Sequence, residues 1–176
     1  MTKQIKYYKV TNKNKNHHSF QYRNGLNILT ESFDRDGYDE TTHNTKAGYI
    51  LDLKNIRKFI EHGVYIREIL LPTDDPSFRM IKNERGDEYR SNMIILGKKY
   101  NMFDIKTIIR FKLYLSSSFV DHVSGNGHVN VLEWLKNSGY KIRHPGNACK
   151  SRHSLMRDDV SEWLKKSGYE YESDSD

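Results

Sequence analysis

The sequence predicts an α+β fold, in which a head of mixed α/β structure over residues 1–100 is followed by a short all-α extension of helical repeats over residues 104–169. Residues 170–176 are an acidic tail that is too polar to pack, and we expect this tail to be disordered. Short segments rich in aromatic and β-branched residues, which are typical of strands, dominate the first half. In the second half, residues 131–140 return as residues 160–169 at a spacing of 29 residues, with Val, Glu-Trp-Leu-Lys and Ser-Gly-Tyr repeated.

The head is predicted to begin with a strand over residues 5–10, Ile-Lys-Tyr-Tyr-Lys-Val. The dipeptide Asn24-Gly25 follows, between two alternating segments at residues 20–23 and 26–29. It is a strong signal for a β-hairpin, because both central residues of a type I′ turn need a positive φ. The buried face of this hairpin would carry Phe20, Tyr22, Leu26 and Ile28.

A short strand over residues 48–51 is followed by a helix signal. Asp52 has the position of a helix N-cap, and apolar residues follow it at three-four spacing. These apolar residues are Leu53, Ile56, Phe59 and Ile60. Gly63 is predicted to end the helix in a left-handed conformation, and Val64–Leu71 is the strongest strand of the chain. A helix between two strands indicates a crossover, although this one is short for a parallel pair.

The second half reads as helical. Residues 92–96 form an apolar run, strand or helix, that Gly97 is predicted to break. From Asp104, one helical face carries Ile105, Ile108, Ile109 and Leu113. The duplicated stripes are Val131, Trp134 and Leu135, and then Val160, Trp163 and Leu164. Because these residues recur in register, we expect both tryptophans to be repeat core rather than exposed binding anchors.

The composition indicates one domain of ordinary size, or a domain with a short appendage, in 176 residues. The hydrophobic content of 36% includes 12 Tyr, 7 Phe and 2 Trp, whose large rings add core volume. Cys149 is the single cysteine, which excludes an internal disulfide and fits a reducing compartment. The N-terminus lacks the apolar core of a signal peptide, and no stretch approaches the roughly 18 apolar residues of a membrane span. We therefore expect a soluble intracellular protein without a membrane partner.

The net charge of +6 is distributed unevenly. The first 16 residues carry no acid and five lysines, which are Lys3, Lys6, Lys9, Lys13 and Lys15. Such a basic body could attract phosphate or an acidic partner, and the alternative is a lysine-rich background of solvated side chains. Charge alone also allows a nucleic-acid partner, but no nucleic-acid-binding motif supports one.

Several blocks of the sequence resemble one family. Residues 127–139, Gly-His-Val-Asn-Val-Leu-Glu-Trp-Leu-Lys-Asn-Ser-Gly, resemble the repeat of the giant-virus (mimivirus-type) ankyrin-repeat proteins. Upstream blocks resemble the unit that precedes the repeats in that family, and they are Phe20-Gln21-Tyr22, Gly25-Leu26-Asn27, Asn55-Ile56 through Phe59, residues 63–68, Leu71-Pro72-Thr73 and residues 92–98.

This resemblance implies an α+β head followed by ankyrin-like helix pairs, and it implies no known activity. The chain departs from the family in three respects. It has about two units instead of a long array, it lacks Thr-Pro-Leu-His, and its period is 29 instead of about 33. The repeat array is therefore interpreted as truncated.

No residue is predicted to be catalytic, to bind a cofactor or to bind a metal. His128, His144, Cys149 and His153 lack the paired spacing of zinc ligands, and the adjacent His17 and His18 are interpreted as loop residues. Residues 34–40 lack the aspartate order of a calcium loop. Gly125-Asn126-Gly127 has no third glycine in register for a nucleotide fingerprint, and it is interpreted as a turn between helices.

Arg67-Glu68, inside the strongest predicted strand, is the most informative charged pair of the head. Strand alternation places the two side chains on opposite faces, so one of them would point toward the packed side. With Tyr22, Tyr65 or His62 nearby, it could line a nucleotide or phosphate pocket. The alternatives are an edge-strand position or a structural ion pair.

These observations favour a non-enzymatic protein–protein interaction module of ankyrin-repeat type, with a host or viral protein as partner and, if the protein is viral, the host cytoplasm as its location. The alternative is that the head is an enzyme or a nucleotide- or phosphate-binding domain, with the repeats as a lid. A degenerate paralogue is a third hypothesis. A concave head pocket with converging polar groups around Arg67 or Glu68 would favour the alternative, whereas a flat head and an exposed apolar groove along the repeats would favour the interaction module.

Overall fold

A seven-stranded antiparallel sheet dominates the N-terminal half of the chain. The computed structural model describes residues 5–17, 20–29, 48–83, 86, 88–140 and 158–168. The chain divides into an N-terminal unit, residues 1–102, and a C-terminal unit, residues 103–176.

The strands of the N-terminal unit are β1 (Tyr7–Thr11), β2 (Asn16–His17), β3 (Phe20–Gln21), β4 (Gly25–Ile28), β5 (Gly48–Asp52), β6 (Tyr65–Leu70), β7 (Met80–Lys82), β8 (Tyr89–Ser91) and β9 (Met93–Asn101). The sheet order is β4-β9-β6-β1-β5-β8-β7, and β2 pairs with β3 in a separate two-stranded ribbon. The strands predicted at residues 5–10, 48–51 and 64–71 are confirmed as β1, β5 and β6, three neighbours in the middle of the sheet.

An apolar core cluster is formed largely by side chains of this sheet. It consists of Tyr22, Ile50, Ile69, Ile94 and Leu96, which are contributed by several strands and by the segment after β3. Each buried side chain of this size stabilises the fold by roughly 1.5–3 kcal/mol relative to exposure. The aromatic residues therefore do supply core volume, with Tyr22 among the largest buried side chains.

The predicted fold class, a mixed α/β head followed by an all-α array, is wrong. Antiparallel strands make up most of the described structure. Every strand pair of the sheet is antiparallel. The segment predicted as a crossover α-helix is a 3-10 helix, Ile56–His62, which packs against β1. It connects β5 to β6, and β1 lies between these two strands and runs antiparallel to both.

Asp52 and Gly63, the predicted cap residues, have other roles. Asp52 ends β5, and its Oδ1 accepts hydrogen bonds from the backbone amides of Lys54 and Asn55, both at 3.0 Å. Gly63 has a φ of 178°, which is extended and not left-handed. A side chain cannot be accommodated there, because a Cβ on Gly63 would lie 2.3 Å from the backbone carbon of Thr11.

The hairpin predicted at Asn24-Gly25 is wrong. Gly25 does have a positive φ of 84°, but β3 pairs with β2, and β4 pairs with β9. Long-range pairing with the longest strand of the sheet replaces the local pairing. Leu26 and Ile28 consequently remain 51% and 48% exposed instead of forming a buried face with Tyr22.

The side chain of Asn27 closes the turn before β4. Its Oδ1 accepts from the Arg23 amide at 2.7 Å, and its Nδ2 donates to the carbonyl oxygens of Arg23 and Gly25, both at 2.8 Å. Gly97 does not end the following apolar run either, since β9 continues through it from Met93 to Asn101.

The C-terminal unit contains the helices α1 (Ile105–Phe111), α2 (Phe119–Gly125), α3 (Val129–Asn137) and α4 (Asp158–Ser167), and a 3-10 helix, Leu113–Leu115. Asp104 caps α1, because its side chain accepts from the amides of Lys106 and Thr107. Gly127, with a φ of 72°, lies in the short connection between α2 and α3, as predicted for a turn between helices.

The duplicated helices α3 and α4 are neighbours. Trp163 Nε1 donates to Glu133 Oε2 at 2.7 Å, and Lys136 Nζ donates to the Ser167 carbonyl at 3.0 Å. The aliphatic members of both stripes are buried, and they are Val131, Leu135, Val160 and Leu164. Both tryptophans are only half-buried, so they are not the core residues that their recurrence predicted.

The expected ankyrin-like all-α array is therefore not what the described residues form. The N-terminal unit is built on a seven-stranded sheet. The described part of the C-terminal unit contains four helices of seven to ten residues, of which α3 contacts both α2 and α4. The periodic Val-x-x-Trp-Leu stripe correctly indicates two helices with a buried face. It does not by itself specify the stacked architecture in which such helices occur in longer arrays.

Candidate functional site

A row of cationic side chains crosses three adjacent strands of the sheet. Lys9 on β1 lies directly opposite Arg67 on β6, and Arg67 lies directly opposite Lys99 on β9. Residues that pair directly share one face of a sheet. Lys9 and Arg67 are 4% and 5% exposed, respectively, so two basic side chains are buried next to each other on one face of the sheet.

Arg67 is held by neutral acceptors. Its Nη2 donates to the carbonyl oxygens of Gly97 at 2.7 Å and Leu96 at 3.3 Å, and both Nη atoms contact Asn24 Oδ1 at 3.3 Å. Its Nε is buried and has no hydrogen-bond partner among the described residues. Burial lowers the pKa of Arg67, because desolvation disfavours the charged form.

Lys9 is also held without a direct acidic partner. Its Nζ donates to the Tyr49 carbonyl at 3.0 Å and lies 4.7 Å from the centroid of the Tyr22 ring. Burial lowers the pKa of Lys9 to about 7, and the charge of Glu88 opposes this shift only in part. Burial raises the pKa of Tyr22, whose hydroxyl is buried and lacks a hydrogen-bond partner in the described residues.

Arg67 lines a cavity of about 400 Å³, which we call the cationic cavity. Its cationic lining residues are Lys13, Lys15, Arg67 and Lys99. The other described lining residues are Thr11, Asn24, Tyr65, Leu96 and Gly97. None of these nine residues carries a carboxylate, so the described lining has positive charge and hydrogen-bond donors without an internal counter-ion.

Two lining residues of the cationic cavity have buried polar atoms without partners in the described part of the chain. They are Arg67, through Nε, and Thr11, through Oγ1. Buried donors of this kind are rare in folded proteins because each costs free energy when it is unpaired.

Local backbone features shape the cavity. The pairing of β6 with β9 is irregular between Arg67 and Ile69, where Glu68 lies. Gly97 passes close to that point, since a Cβ on it would lie 3.2 Å from the Glu68 carbonyl oxygen. Lys15 has a φ of 56°, in the left-handed region that costs free energy for a residue other than glycine.

Of the residues singled out from the sequence, Arg67 and Tyr65 line the cationic cavity, and Lys99 Nζ lies 4.6 Å from the centroid of the Tyr65 ring. Glu68 is on the opposite face, where its Oε1 lies 3.8 Å from Lys6 Nζ. His62 is not a lining residue, and its ring lies beside Phe59.

The remaining candidates are not part of this site. The ring of His128 stacks on Phe103 at a centroid distance of 3.7 Å in the C-terminal unit. Several candidates lie outside the described part of the chain. They are residues 34–40, His18, His144, Cys149, His153 and the side chain of His17. No group of three or more metal-ligating side chains occurs in the part of the chain that the structure describes.

The sequence analysis named Lys13 and Lys15 only as part of a basic N-terminal stretch, without connecting them to Arg67, and it missed Lys99. Lys9 was one signal in the sequence for a buried basic site, because it lies within a strand between Tyr8 and Val10, where an inward-facing charge is unusual.

None of the described helices is long and apolar enough to span a lipid bilayer.

Comparison with known proteins identifies relatives in one virus. A protein of Acanthamoeba polyphaga mimivirus, provisionally named as an ankyrin repeat protein, is 39% identical over 134 residues, which cover 76% of this chain and 62% of the relative. A second protein with such a name from the same virus is 33% identical over 150 residues, covering 80% of this chain and 43% of the relative. An uncharacterized mimivirus protein is 42% identical over 101 residues, covering 57% of this chain and 71% of the relative.

The chain belongs to a family of mimivirus proteins, several of which are provisionally named for ankyrin repeats. The resemblance to the giant-virus ankyrin-repeat proteins that these sequence blocks predicted is thereby confirmed. The chain spans 62% and 43% of the two ankyrin-named relatives, so those members of the mimivirus family extend well beyond the matched region. No protein-family model and no solved structure matches the chain.

Proposed function

We propose that this chain is a non-enzymatic binding module whose cationic cavity receives an acidic segment of a partner protein. The observation that carries the proposal is the cavity itself, with four cationic side chains and no carboxylate in its described lining. The names of the mimivirus relatives support a protein as the partner, because ankyrin repeats are binding scaffolds.

A purely structural role for Arg67 explains the site less well. Buried charges in proteins are usually paired with an opposite charge, and leaving one unpaired is strongly destabilising. Arg67 instead contacts two carbonyl oxygens and an amide, and a second buried basic side chain, Lys9, lies directly opposite it. This arrangement costs stability in the free protein, and an incoming anion would recover part of that cost.

Binding fits the lining better than a reaction does. The described lining offers lysine, arginine, threonine, tyrosine and asparagine side chains. It lacks the imidazole, carboxylate and thiol groups that most often transfer protons or act as nucleophiles. The cavity is a concave pocket around Arg67, which is the feature expected of a head that binds a ligand. A flat head with an apolar groove along the repeats was the feature expected of an ankyrin-type interaction surface. A small anion is therefore the competitor that experiments must exclude.

The test is binding of a fluorescently labelled peptide of alternating Glu and Asp, measured by anisotropy at low ionic strength. We expect Lys99→Glu to weaken binding at least tenfold, because it reverses one charge of the lining. The matched control is Lys98→Glu, an exposed neighbour on β9 that does not line the cavity. Equal losses in both variants would show unspecific attraction to a basic surface, and an absence of binding would overturn the proposal.

A further inference from the structure

We infer that the group received by the cationic cavity is a phosphate monoester on the partner protein, rather than a carboxylate. This inference rests on the proposed function and specifies its ligand. Its basis is the number, charge and placement of the donors around the cavity.

The charge around the cavity suits a dianion. Lys13, Lys15, Arg67 and Lys99 line it, and their charges are not balanced by a carboxylate in the described lining. A phosphate monoester carries about −1.5 to −2 charges at neutral pH, whereas a carboxylate carries one. The larger charge therefore gains more from the same four cations.

The donors also suit phosphate. Arg67 Nε is buried without a partner, although the Nη2 atom of the same guanidinium is occupied by the carbonyl oxygens of Leu96 and Gly97. Thr11 Oγ1 is a second buried donor without a partner in the described residues. A phosphate monoester offers three terminal oxygens as hydrogen-bond acceptors, against two in a carboxylate, so it can accept from more of the cationic lining side chains at once.

The size of the cavity admits this ligand together with part of its carrier. At about 400 Å³, the cavity is within the range of sites that hold small molecules, roughly 300–1,000 Å³, and it is larger than a phosphate group alone requires. The half-buried ring of Tyr65 and the Leu96 side chain supply apolar lining for the side chain that carries the phosphate.

The experiment is isothermal titration calorimetry on the full chain with four probes. Three are peptides with identical uncharged flanks and a central phosphoserine, phosphotyrosine or glutamate, and the fourth is inorganic phosphate. We expect at least one phosphopeptide to bind ten times more tightly than the glutamate peptide, which is about 1.4 kcal/mol. We also expect it to bind ten times more tightly than inorganic phosphate.

Each other outcome overturns a different statement. If the phosphopeptides bind no better than the glutamate peptide, the phosphate inference fails and the proposed function stands. If inorganic phosphate binds as well as the best phosphopeptide, the preference of the cavity for phosphate stands, but the inference that the phosphate is carried by a partner protein fails. If no probe binds, both the inference and the proposed function fail.

Two substitutions locate the binding site. Lys99→Gln should reduce phosphopeptide affinity at least fivefold, and Lys98→Gln should leave it unchanged, because these exposed neighbours differ in whether they line the cavity. Both are surface changes that should leave the fold intact, which circular dichroism will check. Equal affinities in the two variants would place phosphate binding outside the cationic cavity and overturn the inference.

Discussion

Lys9 and Arg67 lie directly opposite each other on β1 and β6, and both side chains are almost completely buried. The described structure gives neither of them an ion pair, and it holds them through neutral oxygens, the Tyr22 ring and the Asn24 amide. The free energy of this arrangement should therefore depend on whether Lys9 is protonated. This relationship can be tested separately from any ligand.

Lys9→Met should change how stability depends on pH. The pKa of Lys9 is about 7 in the folded protein and 10.5 in the reference state. Between these values the unfolded chain binds more protons, so the stability of the natural protein should rise with pH, by at most about 1.4 kcal/mol per pH unit. The variant lacks this rise. Its advantage over the natural protein should be largest below pH 7 and should shrink toward pH 10, as urea unfolding will show.

Lys98→Met is the matched control for that experiment, because Lys98 is exposed. Its stability profile should run parallel to that of the natural protein. Parallel profiles for Lys9→Met and the natural protein would contradict the burial of a titrating Lys9.

Gly63→Ala should destabilise the N-terminal unit by about 3 kcal/mol or more. The new Cβ would lie 2.3 Å from the backbone carbon and oxygen of Thr11, and backbone atoms cannot move aside as a side chain can. Gly125→Ala is the control, since its Cβ would meet no atom within 4 Å and alanine favours the helix. Thermal unfolding should show a large loss for the first and no loss for the second. Similar stabilities would contradict the close approach of Gly63 to Thr11.

Strands with local signals could be predicted from the sequence, and long-range pairing could not. The segments 5–10, 48–51 and 64–71 contain enough aromatic and β-branched residues to indicate strands without knowledge of their partners. The Asn-Gly signal failed because β4 pairs with the distant β9. Gly97 does not break the strand, and a glycine suits this position because a Cβ would lie only 3.2 Å from the Glu68 carbonyl oxygen.

The cationic cavity depends on the same long-range register. Strand alternation correctly separated Arg67 from Glu68, because alternation is a local property. Only the antiparallel register of β1, β6 and β9 places Lys9, Arg67 and Lys99 in one row. A shift by one residue would move each of these side chains to the other face, and the sequence contains no local signal that excludes such a shift.

Asn27→Ala should destabilise the protein by about 2 kcal/mol, because it removes three hydrogen bonds that a buried side chain makes across the turn before β4. Asn24→Ala removes only the 3.3 Å contacts with Arg67 and should cost less than about 1 kcal/mol. The order of these two effects, measured by urea unfolding, distinguishes the observed turn from the predicted hairpin. A larger effect at Asn24 would favour the hairpin.

Trp163→Phe should raise the pKa of Glu133 toward its usual value. The hydrogen bond from the Trp163 indole is the largest cause that lowers this pKa, ahead of those from Asn137 and the charge of Lys136. A depressed carboxyl pKa stabilises the fold above the unfolded value, and this contribution disappears as the pH falls through the folded value. The variant should therefore lose stability at neutral pH and lose less in acid. Trp163→Ala should cost less than the roughly 3–5 kcal/mol of a buried tryptophan, because Trp163 is half-buried. NMR titration of the Glu133 carboxyl is the direct measurement, with Trp134→Phe as the control that should leave it unchanged. An unaltered Glu133 titration in Trp163→Phe would show that the indole of α4 does not bond to α3 in solution.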